Sequence, residues 1–194
     1  MEKIKIGVVG AGVWGETHGS IYHEHPMAEF VAICDKDIKR AEAIAAKYGV
    51  KEVYADYREM AQKSHCDAVA IVTPDFLHAD IAVAFADAKK HLLIEKPLAT
   101  NVPDIERICE AVERNGIRCM VDLHNRWNPP FNKAWQEVRS GRLGTPKNAY
   151  LRHSDIKWVA TDMLSWAAKS SIMWFLGSHS VDTLRWMFDD EVSR

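Results

Sequence analysis

The sequence predicts an α/β protein: a doubly wound parallel sheet, followed by the start of an α+β C-terminal domain. Two observations carry this expectation. Strand and helix signals alternate through the first 123 residues, the pattern of a parallel sheet built from successive crossover units. Several strands, such as Ala68-Val69-Ala70-Ile71-Val72, are unbroken apolar runs, as expected where helices cover both sheet faces.

The first strand, Ile4-Lys5-Ile6-Gly7-Val8-Val9, leads into a helix from Trp14 to about His25, stopped near Pro26. A second strand spans 28–34. Asp37–Tyr48 follows as a helix, with Ile38, Ala41, Ile44 and Ala45 at helical spacing and Gly49 as its left-handed terminator. Glu52–Tyr54 is a short strand, and Asp56 reads as the N-cap of the next helix. The strand from Ala68 ends at Thr73-Pro74. A helix from His78 to Ala88 then feeds the apolar strand His91-Leu92-Leu93-Ile94. Val102–Asn115 is helical and halted by Gly116, and Cys119–Leu123 makes a sixth strand.

Asn128-Pro129-Pro130 breaks the chain, and six of the seven tryptophans lie beyond residue 125. The expected division is therefore 1–124 and 125–194. In the second part, 131–140 reads as a helix and Pro146–Ser154 alternates like a strand. Ser178–Phe188 reads as a helix with Val181, Leu184, Arg185 and Phe188 on related faces. Residues 156–174 carry no clear signal.

The turn after the first strand, Gly10-Ala11-Gly12-Val13-Trp14-Gly15, has chemical content. Gly10 permits a tight turn, Gly12 lets a pyrophosphate approach the main chain, and Gly15 allows close packing of helix on strand. The helix start adds free N–H groups and a partial positive charge. Asp35 closes the second strand, 20 residues after Gly15. A carboxylate there accepts hydrogen bonds from an adenosine ribose and repels a 2′-phosphate, so NAD is expected as cofactor. Lys36 beside it keeps NADP as the alternative.

Composition narrows the class further. A net charge of −2 gives no footprint for nucleic acid or an anionic membrane. No apolar stretch reaches the roughly 18 residues of a membrane span, and the N-terminus runs straight into a strand without a signal peptide. Cys34, Cys66, Cys109 and Cys119 lack metal-type spacing, and no metal site is expected; small thiols in a reducing, cytoplasmic setting are the simpler reading.

Glu95-Lys96-Pro97 falls where the fifth strand ends. In open parallel sheets, ligands gather beyond the carboxyl ends of the strands. Pro97 restricts Lys96 to extended geometry, and a rigidly based ammonium can hydrogen-bond an oxygen that changes between alcohol and carbonyl. Taken alone, the tripeptide reads better as a solvated ion pair on a loop.

Thr73-Pro74-Asp75-Phe76-Leu77-His78 and Glu95-Lys96-Pro97-Leu98-Ala99, together with Gly10–Gly15, resemble the glucose-fructose oxidoreductase / inositol dehydrogenase / MocA-like family. Asn125-Arg126-Trp127 and Gly177-Ser178-His179-Ser180-Val181-Asp182 resemble its later segments. The resemblance implies a Rossmann domain followed by an α+β domain with a large open sheet. It implies NAD(P)-dependent oxidation or reduction of a sugar, cyclitol or related polyol. Lys96 and His179 match the usual catalytic pair. Gly10, Gly12, Val13, Trp14, Gly15, Asp35, Thr73, Pro74, His78, Glu95, Lys96 and Asn125 match positions along the dinucleotide. The family continues well past the equivalent of residue 194 and forms homo-oligomers, dimers or tetramers, so this chain is expected to be a fragment of such a protein.

His179 has a physical argument of its own. In the first turn of a helix, the positive end disfavours imidazolium and leaves a neutral proton acceptor; a helix-capping or core histidine is the other reading. Asp182 shares its helix face and is a candidate to orient it. Many family members carry an aspartate four residues before this histidine, where this chain has Phe175. Phenylalanine accepts no hydrogen bond, which keeps a non-catalytic dinucleotide-binding sensor or regulatory relative as the alternative function. Asp122, His124 and Arg126 follow the sixth strand, as contacts to substrate or nicotinamide or as ordinary strand-end polar residues. The tryptophans suit core or subunit interface better than sugar stacking.

Overall fold

A computed structural model describes residues 2–192. The chain divides into two compact units, Met1–Val121 and Asp122–Arg194, three residues before the boundary expected from the tryptophan-rich composition.

The first unit is built on strands β1 (Ile4–Val9), β2 (Ala28–Cys34), β3 (Glu52–Tyr54), β4 (Ala68–Ile71), β5 (His91–Glu95) and β6 (Cys119–Asp122). Their order in the sheet is β3-β2-β1-β4-β5-β6, and β1 pairs in parallel with both β2 and β4. Between them run α1 (Val13–Glu24), α2 (Ile38–Tyr48), α3 (Tyr57–Lys63), α4 (His78–Asp87) and α5 (Val102–Asn115). The strand order reverses between β1 and β4, the switch point at which open α/β sheets leave a crevice for ligand. Every element expected in this half is present, with ends within a residue or two. The reasons are local: Asp37 and Asp56 accept from Lys39 N and Arg58 N at the starts of α2 and α3, and Gly49 ends α2 in the left-handed conformation at φ 72°.

Both sheet faces are buried. One layer contains Val9, Ala32, Val69, Ile71, Phe85, Ile94 and Ile108; the other contains Val8, Phe30, Ile33, Ile44 and Ala70. Alternation fails once. The β1–β2 register jumps from Ile6↔Phe30 to Gly7↔Ala32, so Val31 is an extra residue and joins Ala32 against the same layer. This bulge re-phases the strand, and with it the side chain of Asp35 at its end.

In the second unit, α6 (Pro129–Arg139) and α7 (Ser178–Phe188) are the regular elements. The Trp135 and Trp186 rings stack at 5.3 Å between centroids and 11° between planes. One expectation fails here. Pro146–Ser154 forms no strand: no ladder pairs with it among the described residues, and an extended segment without a partner leaves its N–H and C=O groups to solvent. Tyr150 is 87% exposed. On α7 the buried residues are His179, Asp182 and Thr183, whereas Val181 is 45% exposed. A charge pairing, described below, turns the polar side inward. The weakly patterned stretch folds into short helical turns at Val159–Met163, Ala167–Lys169 and Met173–Gly177. No described helix is long and apolar enough to cross a membrane.

Candidate functional site

The glycine-rich turn after β1 has the geometry of an anion cradle. Gly10 has φ 110°, a conformation that side chains rarely adopt, and a Cβ on it would lie 2.8 Å from Val72 O at the end of β4. A Cβ on Gly15 would lie 1.9 Å from Gly10 O, so α1 can start this close to the turn only with glycine there. Gly12, by contrast, faces open space. It occupies the N-cap of α1, and no side chain caps that helix; Val13 is 60% exposed and Trp14 is also exposed. An uncapped helix start beside open space presents its first-turn N–H groups to an incoming anion.

Asp35 is tied into the same turn. Its Oδ2 accepts from Ala11 N at 2.7 Å and its Oδ1 accepts from Asp37 N at 2.9 Å. The carboxylate is thereby fixed beside the cradle, with acceptor capacity left for ribose hydroxyls. At the end of β4, Thr73 Oγ1 is buried and takes no hydrogen bond from the protein, a polar group awaiting a ligand. Pro74 begins the turn that leads to α4. Glycine cradle, fixed carboxylate and orphaned hydroxyl all lie at the carboxyl ends of adjacent strands, and together they fit a dinucleotide.

The Glu95-Lys96-Pro97 segment leaves β5 with its chemistry buried: Lys96 is 8% exposed and Glu95 is also buried. The Lys96–Pro97 peptide is cis. Glu95 Oε1 lies 3.3 Å from Nε2 of His18 on α1, and Glu95 Oε2 accepts from Lys96 N at 3.2 Å. The solvated loop pair is thus excluded. His78 is 1% exposed, with Nδ1 2.9 Å from Pro97 O and Nε2 3.0 Å from Thr73 O, so its ring is enclosed by protein. Burial holds its pKa below the ordinary imidazole value, against the pull of the two carbonyls.

In the second unit, Asn125, His124, His153, His179 and Asp182 draw together. The His124 and His179 rings meet at 4.7 Å in an edge arrangement, and the His153 ring is 5.9 Å from that of His179. His153 Nδ1 is 2.9 Å from Ser180 Oγ, and Asn125 Nδ2 is 3.5 Å from His153 Nε2. His153 and Ser180 open onto a cavity of about 270 Å³ shared with Tyr150, Ile172 and Leu176. Two readings of α7 are corrected. Asp182 is committed to Arg126, which donates to it through Nε at 3.0 Å and through a second nitrogen at 2.6 Å; that pairing raises the Arg126 pKa and removes Asp182 as the partner that orients His179. The helix start is not free either, because Gly177 (φ −63°, ψ −31°) continues the turn Met173–Gly177 directly into Ser178. His179 therefore gains no exposed helix-terminal charge. Phe175 packs edge-on to Trp166, with ring centroids 6.2 Å apart.

His18, Tyr22, His153 and Ser180 were not singled out by sequence. His18 had a readable signal: it lies three residues beyond Gly15 and four before Tyr22, on one buried helix face. For His153 there was none, since it lies in an irregular segment.

Fold and site define a dinucleotide-binding α/β protein. Residues 4–123 match the profile of the oxidoreductase family with an NAD-binding Rossmann fold, and the chain belongs to that family. It is 31% identical over 191 residues to inositol 2-dehydrogenase 3 of Saccharopolyspora erythraea, covering 97% of this chain and 55% of the relative. It is 29% identical over 183 residues to 4-carboxy-2-hydroxymuconate-6-semialdehyde dehydrogenase of a Sphingobium species, covering 92% and 57%. Among solved structures, the WlbA dehydrogenase of Bordetella pertussis, in complex with NADH and UDP-GlcNAcA, superposes with a TM-score of 0.82 at 27% identity, over 96% of this chain and 59% of that one. Scyllo-inositol dehydrogenase of Lactobacillus casei shares the fold with a TM-score of 0.84 at 23% identity, over 98% and 57%. The chain thus spans little more than half the length of these proteins.

Proposed function

We propose that the protein is an NAD-dependent oxidoreductase acting on a CH–OH group of a sugar, cyclitol or related polyol. The observation that carries this reading is the cradle: an uncapped helix start beside an open Gly12, with Asp35 bonded to the amide of Ala11. NAD, when bound, supplies the acceptor for the electrons leaving the substrate carbon. The chain's own residues have separate tasks. The α1 amides hold the diphosphate, Asp35 holds the ribose, and Thr73 Oγ1 gains the hydrogen bond it lacks. Lys96 holds the substrate oxygen, and His179 takes the hydroxyl proton. Polyol-processing relatives support the substrate class, and four free cysteines suit a reducing cytoplasm.

A second reading, a sensor that binds the dinucleotide without turnover, is favoured by Phe175, a side chain that accepts no hydrogen bond, and by the Arg126–Asp182 pairing, which commits Asp182 to an arginine. A panel of inositols and sugars, followed by reduced-nicotinamide absorbance, separates the two. Turnover that disappears in Lys96→Ala while NADH still binds supports the enzyme; NADH binding without turnover on any polyol supports the sensor. Asp35→Ala is expected to shift preference from NAD toward NADP, and an unchanged ratio would remove Asp35 from cofactor choice.

A further inference from the structure

Lys96 stands between two residues that are each gripped by a buried histidine. On its N-terminal side, His18 from α1 reaches the Glu95 carboxylate through Nε2, while its Nδ1 meets the Tyr22 hydroxyl at 3.0 Å. The other Glu95 oxygen accepts the N–H of Lys96 itself. On the C-terminal side, His78 from α4 approaches the Pro97 carbonyl through Nδ1, while its Nε2 meets the carbonyl of Thr73. All of these residues belong to the first unit.

Ordinary packing does not require two imidazoles here. Each brings polar atoms into a dry region, which costs free energy unless they are matched. The matches converge on the residues immediately before and after Lys96: His18 donates through Nε2 to Glu95 and accepts at Nδ1 from Tyr22, and neutral His78, which has one N–H, is assigned the tautomer that donates through Nδ1 to Pro97 O. His18 sits on the helix that opens at the phosphate cradle, and His78 also touches Thr73, whose hydroxyl lacks a protein partner. Lysine has a long, flexible stem, so the direction in which it leaves the backbone must be fixed from outside it.

We infer that His18 and His78 are positioning residues that clamp the backbone on the two sides of Lys96, through Glu95 and Pro97, and join it to the helix that cradles the diphosphate. This rests on the reading of Lys96 as the residue that holds the substrate oxygen. A misplacement of about 1 Å in such a group costs on the order of 100-fold in rate.

Paired amide substitutions test the clamp. An asparagine amide nitrogen falls near the imidazole Nδ1, and that of glutamine near Nε2. At position 18 the clamp runs through Nε2, so His18→Gln is expected to exceed His18→Asn in kcat. At position 78 it runs through Nδ1, so His78→Asn is expected to exceed His78→Gln. The difference within each pair is expected to reach up to about 100-fold, with the NADH dissociation constant equal within the pair. A second readout needs no turnover. In protein labelled at lysine Cε, the Lys96 carbon signal, assigned with Lys96→Met, is expected to move further in His18→Asn and His78→Gln than in their partners. The same amide preferred at both positions, or no difference within either pair by both readouts, overturns the inference. Turnover by Lys96→Met equal to wild type would instead sink the reading of Lys96, while its signal in the four variants still decides the clamp.

Discussion

Adding one methyl group at Gly15 separates the two tasks of the glycine turn. The new Cβ would lie 1.9 Å from Gly10 O and 2.9 Å from Gly10 C. Both are backbone atoms, so no flexible side chain can yield and the turn itself must shift. Overpacking of this severity costs about 3 kcal/mol, and alanine's better helix propensity returns about 1 kcal/mol. A net loss of roughly 2 kcal/mol lowers the melting temperature by about 6–10 °C for a unit of this size. NADH binding is expected to fall as well, because the displaced atoms frame the cradle. Gly12→Ala is the control. Nothing lies within 4 Å of its Cβ and its φ is −84°, so stability should change by less than about 1 kcal/mol, while the added carbon occupies the space through which a diphosphate approaches. Calorimetric titration with NADH and thermal unfolding measure both. The reasoning fails if Gly15→Ala unfolds at the wild-type temperature, or if Gly12→Ala binds NADH as tightly as wild type.

Other outcomes follow from the same geometry. Asp182→Asn is expected to destabilise the second unit by about 1–2 kcal/mol, since it weakens a carboxylate–guanidinium pair of which only the arginine is substantially exposed. Denaturant unfolding measures the loss, and a variant as stable as wild type would mean that the pair contributes nothing to that unit. His78 is held neutral by burial, with its folded pKa below the unfolded value. Its contribution to stability is therefore present above the ordinary imidazole pKa of about 6.5 and is lost as pH falls through the folded value. Denaturant unfolding should show stability declining on the acid side of that point, and the decline should be shallower in His78→Asn. An equal slope in both proteins would mean that another group is responsible.

Much of the first unit is written locally. The caps at Asp37 and Asp56, the terminators Gly49 and Gly116, and the apolar runs of β4 and β5 depend on neighbours within a few residues, so pattern alone places them. The glycine turn and Asp35 were legible for the same reason, since a strand, a tight turn and a helix start are consecutive in the chain. The bulge at Val31 was not. Pairing against β1 decides it, and two apolar residues in sequence look the same whether they alternate or share a face.

The site's side chains divide along the same line. Sequence identified Lys96, His78 and Asp182 as polar residues at informative places, but not the protein groups that two of them touch. His78 lies between carbonyls 5 and 19 residues away and, being neutral, donates to one of them, and Asp182 meets an arginine 56 residues away. Such partners are chosen by where helices cross and by the need to match every polar atom withdrawn from water, and no periodicity encodes that. Sequence by itself determined the order of strands and helices, the phosphate-binding turn and the acidic residue beyond it, because each depends on contiguous backbone conformation. Tertiary structure decided which buried groups pair, which face of α7 turns inward and how Lys96 is held, because these depend on distances that only packing sets.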